Sequence, residues 1–223
     1  FAARADDFDF AEGLVRLKYY DLAKAEFEKI IGDSGRGAAE RANGELGLAL
    51  LLKAQAADMM QDTKSETDAT LALFDEAETR FDKFLSNNPS HPKRTDARFE
   101  VGLLLQAKGT FLSGRAEKET EKAESLKSAA EGAFDQATDL FKTVADSLEE
   151  ALDDIPTSDL ETVKAQMMDW NSKRARFYEC VCHYNKGILY EEGGAEREGT
   201  LESAIELLID FVWNNEDNIL GAY

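Results

Sequence analysis

Cys180, Cys182 and His183 are the one place in the chain where thiol and imidazole groups stand together. On a helix Cys180 and His183 share a face, while Cys182 points nearly opposite. Zinc wants four converging ligands, and no second cluster supplies the rest. Covalent haem attachment needs Cys-x-x-Cys-His, and Cys180-Val181-Cys182-His183 is one residue short of it. The two cysteines lie too close on one helix to bond each other, so they make no disulfide framework. They read as small buried hydrophobes, and no metal or other cofactor is expected.

The chain has 2 histidines, and the other, His91, sits between Pro89 and Pro92 in a turn. A histidine-based triad would need unusual partners. No Gly-x-Ser-x-Gly elbow, phosphate loop or Glu-x-x-His pair is present. Carboxylates are plentiful, but Glu149, Glu150, Asp153 and Asp154 read as ordinary charge on a solvated helix face. An enzyme is not expected.

Charge bounds the partners. Acidic residues outnumber basic ones 45 to 26, a net of −19. Residues 146–223 alone hold 18 acidic and 6 basic side chains. Such a field repels phosphate backbones and anionic membrane surfaces, so nucleic acid is excluded and a protein or peptide partner is expected. The same charge also keeps a helical surface soluble. The longest apolar run, Leu46 to Leu52, is far too short to span a bilayer, so no direct membrane insertion is expected.

The elements that carry these residues are helices. At 43% apolar, the chain of 223 residues can build a sizeable core. It has 3 prolines and is rich in Ala, Leu, Glu and Lys, which favours helix. Strand signals are nearly absent, and Asn43-Gly44 lies inside a helical pattern rather than at a hairpin turn.

A repeat organises the helices. Tyr20, Ala23, Phe27 and Ile30 form a pattern of large, Ala, large, large. Phe74, Ala77, Phe81 and Phe84 repeat it, as do Phe134, Ala137, Phe141 and Val144, and then Leu201, Ala204, Leu208 and Phe211. Steps of three, four and three put each set on one helix stripe, with a small residue where a neighbour comes close. Upstream lies a second pattern: Phe10-Ala11 with Leu14, Leu46-Gly47 with Leu50, Val101-Gly102 with Leu105, and Lys186-Gly187 with Tyr190. In the last copy Lys186 takes the apolar place. The small residue of the first helix is expected to face the Ala of the second.

With these residues the chain resembles the tetratricopeptide repeat family over nearly its whole length. The resemblance implies an all-α fold, a right-handed helical-hairpin repeat solenoid of about four antiparallel helix pairs. Repeats are expected at 4–37, 38–92, 93–155 and 156–217, with a further helix opening at 218–223. The chain begins at Phe1 rather than Met, and a fragment or processed chain is expected. The spacing departs from the family's 34-residue period. Gly47 to Ala77 is 30 residues, Gly102 to Ala137 is 35, and Ala137 to Gly187 is 50. The insertions read as helix. One turns near Asp62-Thr63-Lys64 with Ser65 and Asp68 spaced like a cap, and one turns near Ser113 between Gly109 and Gly114. The third stops at Pro156 and restarts with a capping box from Ser158 to Glu161, running to about Glu192, where Gly193-Gly194 ends it. Gly32 to Gly37 and Asn87 to Pro92 read as loops.

In the family the first helices line a concave face that holds the ligand. Carried over by position, that row comprises Phe8 and Glu12, Gly44 and Leu48, Phe99 and Leu103, then Tyr184 and Ile188, with Arg41 and Asn185 as further polar contacts. It implies a groove for an apolar or aromatic protein segment, with the acidic last third steering a basic flank. The row largely lacks the Lys, Arg and Asn with which some members grip acidic tails. The competing reading makes these residues core, since Leu46–Leu52 is apolar all round, as in a helix buried on both sides.

Two alternatives stand beside the groove. Phe81-Asp82-Lys83-Phe84-Leu85 followed by Pro89, Pro92, Ala97 and Gly102 is similar to repeats in bacterial periplasmic and outer-membrane assembly proteins. That would make the chain an envelope scaffold, the compartment remaining open between periplasm and cytoplasm. A structural spacer or oligomerisation module would instead use the long hairpins at 54–73 and 146–178. Trp170, outside the repeat pattern, suits a partner or a packed extension. Trp213 is expected to pack against a following helix.

Overall fold

A computed structural model describes residues 3–61 and 66–215, and the description of side chains begins at residue 7. Every regular element among the described residues is helical. The helices are α1 (Ala3–Arg16), α2 (Tyr20–Gly32), α3 (Ala38–Gln61), α4 (Thr67–Asn87), α5 (Arg94–Ala116), α6 (Ala123–Asp153), α7 (Val163–Gly187) and α8 (Ala195–Asn214). α1 packs on α2, α2 on α3 and α3 on α4, and further along the chain α6 packs on α7 and α7 on α8. The chain divides into two compact units, residues 1–104 and 105–223, and the division falls inside α5.

The repeat stripes are the cores of both units. Ala23, Phe27 and Ile30 of α2 and Phe74, Ala77, Phe81 and Phe84 of α4 are buried in the first. Phe134, Ala137, Phe141 and Val144 of α6 and Ala204 and Phe211 of α8 are buried in the second. Each fully buried Phe contributes roughly 1.5–3 kcal/mol of transfer free energy, so these stripes dominate the packing. Leu46–Leu52 is buried around most of its circumference because α3 packs on both α2 and α4.

The close approaches differ from the expected small-against-Ala pairing. A Cβ on Gly47 would stand 2.3 Å from the Phe27 ring of α2, and one on Gly187 would stand 2.6 Å from Leu201 of α8. The small residue therefore admits a large side chain of the neighbouring helix. Phe10, expected to pack, lies exposed, and Phe8 instead sets its ring edge-on against Phe27 at 5.7 Å.

Several helix ends follow their sequence signals. Gly37 opens α3, and Glu40 reaches back to accept its N–H at 2.9 Å, one half of a capping box. At the end of α1, Lys18 takes a positive φ of 62°. Its N–H reaches the Val15 carbonyl, and the N–H of Tyr19 reaches that of Leu14, a Schellman closure. Asn88 closes α4 by donating its side-chain amide to the Phe84 carbonyl at 2.9 Å. His91 packs edge-on against the Phe84 ring, and its Nδ1 accepts the Lys93 N–H at 3.2 Å. α6 stops at Asp153, just ahead of Pro156.

Three expectations are corrected. No turn forms at Ser113: α5 continues to Ala116, and the chain reverses through 117–122. Gly109 is helical, and a Cβ there would lie 2.7 Å from the Phe134 ring, so it serves a helix contact rather than a break. Ser158–Glu161 is no capping box, because Thr157–Asp159 is a short 3-10 turn and Ser158 donates to Asp159 instead. Thr162 caps α7, its hydroxyl accepting the Ala165 N–H at 3.3 Å. α7 ends at Gly187 rather than near Glu192, which makes it about 37 Å long. Gly193, with φ of 76°, turns the chain into α8 rather than ending α7. The expected turn at 62–64, the Ser65 cap and the helix opening at 218 lie outside the described residues.

Candidate protein-binding surface

Burial keeps the two thiols in their protonated form near neutral pH. Cys180 and Cys182 are both buried, and burial pushes their thiols up to about 11 and about 12. A thiolate is the nucleophile and the metal ligand, so neither is poised to act near neutral pH. Among the described residues no three His, Cys, Asp or Glu side chains converge as a metal site would require.

The carboxylates do organise, but around cations. Arg176 of α7 reaches Asp146 and Glu149 of α6 and Glu179 of its own helix, at 2.7 Å to Glu149 and 3.2 Å to Glu179. Ser172 adds a hydroxyl to Glu149 at 2.9 Å. Hydrogen bonding from Arg176 holds the Glu149 carboxyl below its ordinary value, against the opposing effect of burial. Glu149 is thus a structural counter-ion rather than plain surface charge. Glu149, Ser172, Arg176 and Glu179 line one wall of a cleft of about 430 Å³ whose other wall is Phe211 and Asn214 of α8 with its cap Asn215. A general acid or base wants a pKa near the working pH, and a carboxylate lowered by its cation moves the wrong way.

Lys186, the residue that breaks the apolar pattern, has the same kind of reason. Its ammonium sits 2.7 Å from Asp135 and 3.4 Å from Glu131 of α6, and Tyr190 donates to Glu131. Arg176 therefore ties the middle of α7 to the C-terminal part of α6, and Lys186 with Tyr190 ties the C-terminal end of α7 to the N-terminal half of α6.

The expected binding row is divided. In the first unit Leu48 is 1% exposed and Phe99 8%, both in the core, and Gly44 lies against Ile30. Phe8 is half-buried beneath the Lys93 ammonium, 5.4 Å from its ring centre, and Glu12, Arg41 and Leu103 are half-buried. In the second unit Tyr184 and Ile188 are exposed and Asn185 is half-buried.

Tyr184 and Ile188 belong to a longer row. Val163 at 72% exposed, Met167 at 60%, Trp170, Tyr184 and Ile188 recur along α7 and its C-cap at steps that sum threes and fours. Arg174, Phe177 and Val181 fill the intervening positions and are half-buried, Phe177 touching the Phe211 ring at 5.9 Å. Every one of these positions falls on the heptad spacing 163, 167, 170, 174, 177, 181, 184, 188, the signature of a helix-pairing seam. The buried face of α7, marked by Ala165, Ser172, Ala175 and Cys182, lies opposite. Trp170, Tyr184 and Ile188 stand out separately in the sequence, and Val163 and Met167 do not. The heptad spacing that joins them was present in the sequence but is hidden by Arg174 at its centre.

α8 also carries apolar side chains at the surface: Ile205, Ile209, Val212 and Trp213. No described helix is long and apolar enough to cross a membrane. Comparison with family models, curated proteins and solved structures found no match.

Proposed function

We propose that the chain is a protein-interaction module built of tetratricopeptide-like helical hairpins, without catalysis of its own, which receives an apolar helical segment of a partner along α7. The supporting observation is the exposed row Val163, Met167, Trp170, Tyr184 and Ile188, roughly 37 Å from end to end at 1.5 Å per residue. In a chain of net charge −19, apolar clusters exposed at 163–170 and again at 184–188 are surface of the kind a partner covers, and between them Phe177 packs on Phe211 of α8. The row's spacing fits a facing helix with apolar residues three and four apart, the helix-in-groove mode of recognition. The acidic excess of residues 146–223 favours a basic flank on that segment and speeds its approach.

The row starts in the segment expected to protrude as an arm and ends at the first-helix row that the family resemblance implies. One occupant can therefore satisfy both placements. Selection of displayed helical peptides on the intact chain tests this reading. The expected winners carry apolar residues at heptad spacing and lose at least about tenfold in affinity to the Met167→Glu and Tyr184→Glu variants. Both substitutions sit on exposed positions, so the fold should survive, as circular dichroism would verify. Winners that bind both variants as tightly as the parent would end the proposal. A dimer in sedimentation velocity that dissolves with these substitutions would favour the oligomerisation spacer instead.

A further inference from the structure

α8 offers a second surface of different character. Ile205, Ile209 and Val212, at steps of four and three, share one face of the helix and are all exposed. With Leu208 and Trp213 they line a shallow depression of about 270 Å³. Trp213 is the most exposed large apolar side chain of the described residues, at 73%. On the edge beside them stand Glu202 and Glu206, exposed and one turn apart, while Asp210 lies further round and lines the cleft towards α7. The single basic residue of α8, Arg197, turns away to donate to the Tyr190 carbonyl at 3.1 Å. The face thus pairs an apolar strip with a flank of one sign.

We infer that this face of α8 docks a basic amphipathic helix of a partner protein, apolar along its centre and Lys- or Arg-bearing along the edge that meets Glu202 and Glu206. Charge complementarity selects this occupant. A second copy would bring the same acidic edge against itself, in a molecule already at −19. The chain's own Ile219 and Leu220 are led by Glu216 and Asp217, again acid against acid. An anionic lipid surface is repelled for the same reason. A helix with basic edges is attracted, buries Trp213, and is the chemistry the flank can tell from others. This inference stands apart from the α7 row and does not depend on it.

The test uses the full chain carrying Trp170→Phe, which leaves Trp213 as the one tryptophan of the 2. The probe is a synthetic amphipathic helix of about 18 residues, five turns, with Leu on one face and Lys on its flanks. Titration should shift Trp213 emission to the blue. Ile205→Ser with Ile209→Ser should weaken binding at least about tenfold, and Glu202→Lys with Glu206→Lys should weaken it comparably. Raising ionic strength from about 0.05 to 0.5 M should also weaken it. Met167→Ser with Tyr184→Ser should leave the Trp213 titration unchanged. Equal binding by a peptide with Glu in place of Lys would overturn the inference, as would tight binding by the Ile205→Ser, Ile209→Ser chain. Self-association lost with Ile209→Ser would assign the face to a second copy instead. A red shift of Trp213 in Ile219→Ser with Leu220→Ser, before any peptide is added, would assign it to the chain's own tail. Either result overturns the inference.

Discussion

Arg176 holds three carboxylates from two helices, and its own pKa is raised, first by its hydrogen bonds to Glu149. Replacing it with Met keeps the stem but leaves Asp146 and Glu149 facing each other. Urea unfolding at neutral pH should show a loss of roughly 1–3 kcal/mol, larger than an isolated surface pair would give because several charges share the site. The effect carries a pH signature. Folding depresses the Glu149 pKa, so its contribution is complete above the ordinary value of 4.5 and is lost as the pH falls through the folded value. The gap between parent and Arg176→Met should therefore narrow as the pH drops from about 5 to about 3. A gap that widened in acid would contradict the assignment. At the same scale, the buried thiols of Cys180 and Cys182 should resist Ellman's reagent at neutral pH in the folded chain. Both should react once denaturant is added. Rapid reaction of either in the folded protein would show that α7 leaves its neighbours readily.

Glycine separates close approach from mere tolerance at the scale of the helix. Gly47 and Gly109 have an aromatic ring where a Cβ would go, and Gly114 has nothing within 4 Å. Gly47→Ala and Gly109→Ala should each destabilise by roughly 1–3 kcal/mol through overpacking. Gly114→Ala should stabilise by roughly 0.5–1 kcal/mol, the helix-propensity gain, as read by urea unfolding. These glycines also explain where sequence reasoning worked. The stripes on α2, α4, α6 and α8 were legible because large apolar side chains at steps of three and four have few other uses. The turn near Ser113 was misplaced because Gly109 and Gly114 look alike in sequence, and only the Phe134 ring tells them apart. The start of α7 was misplaced for a related reason. Ser158 and Thr162 can both cap, and Pro156 followed by a 3-10 turn delays the helix until Thr162.

Two compact units divide within α5, and surface chemistry divides the molecule again. The first unit keeps Leu48 and Phe99 as core and exposes Phe10, Leu17, Tyr19 and Leu22 on and between α1 and α2, while the second exposes apolar rows on α7 and α8. Leu46–Leu52, apolar all round, is buried on two sides as its own pattern implies, whereas the mixed pattern of α7 leaves its outer face undecided. Leu48 and Ile188 occupy equivalent places in the repeat, yet one is 1% exposed and the other 42%. The pairing of Lys186 with Asp135 was equally hidden, because its partners lie 51 residues away on another helix. The acidic field is a property of the whole chain, so association with a basic-flanked helical peptide should slow as salt rises while its dissociation changes less. Stopped-flow rates that ignore salt would remove electrostatic steering from the account.

The central claim is that the α7 row takes up an apolar helix, and Trp170 is a reporter within it. In a Trp213→Phe chain, where Trp170 is the remaining tryptophan, emission should be followed while a selected heptad-spaced peptide is added. The account predicts a saturable blue shift as Trp170 leaves water, abolished by Met167→Glu. A peptide that binds while Trp170 emission stays unchanged would contradict it.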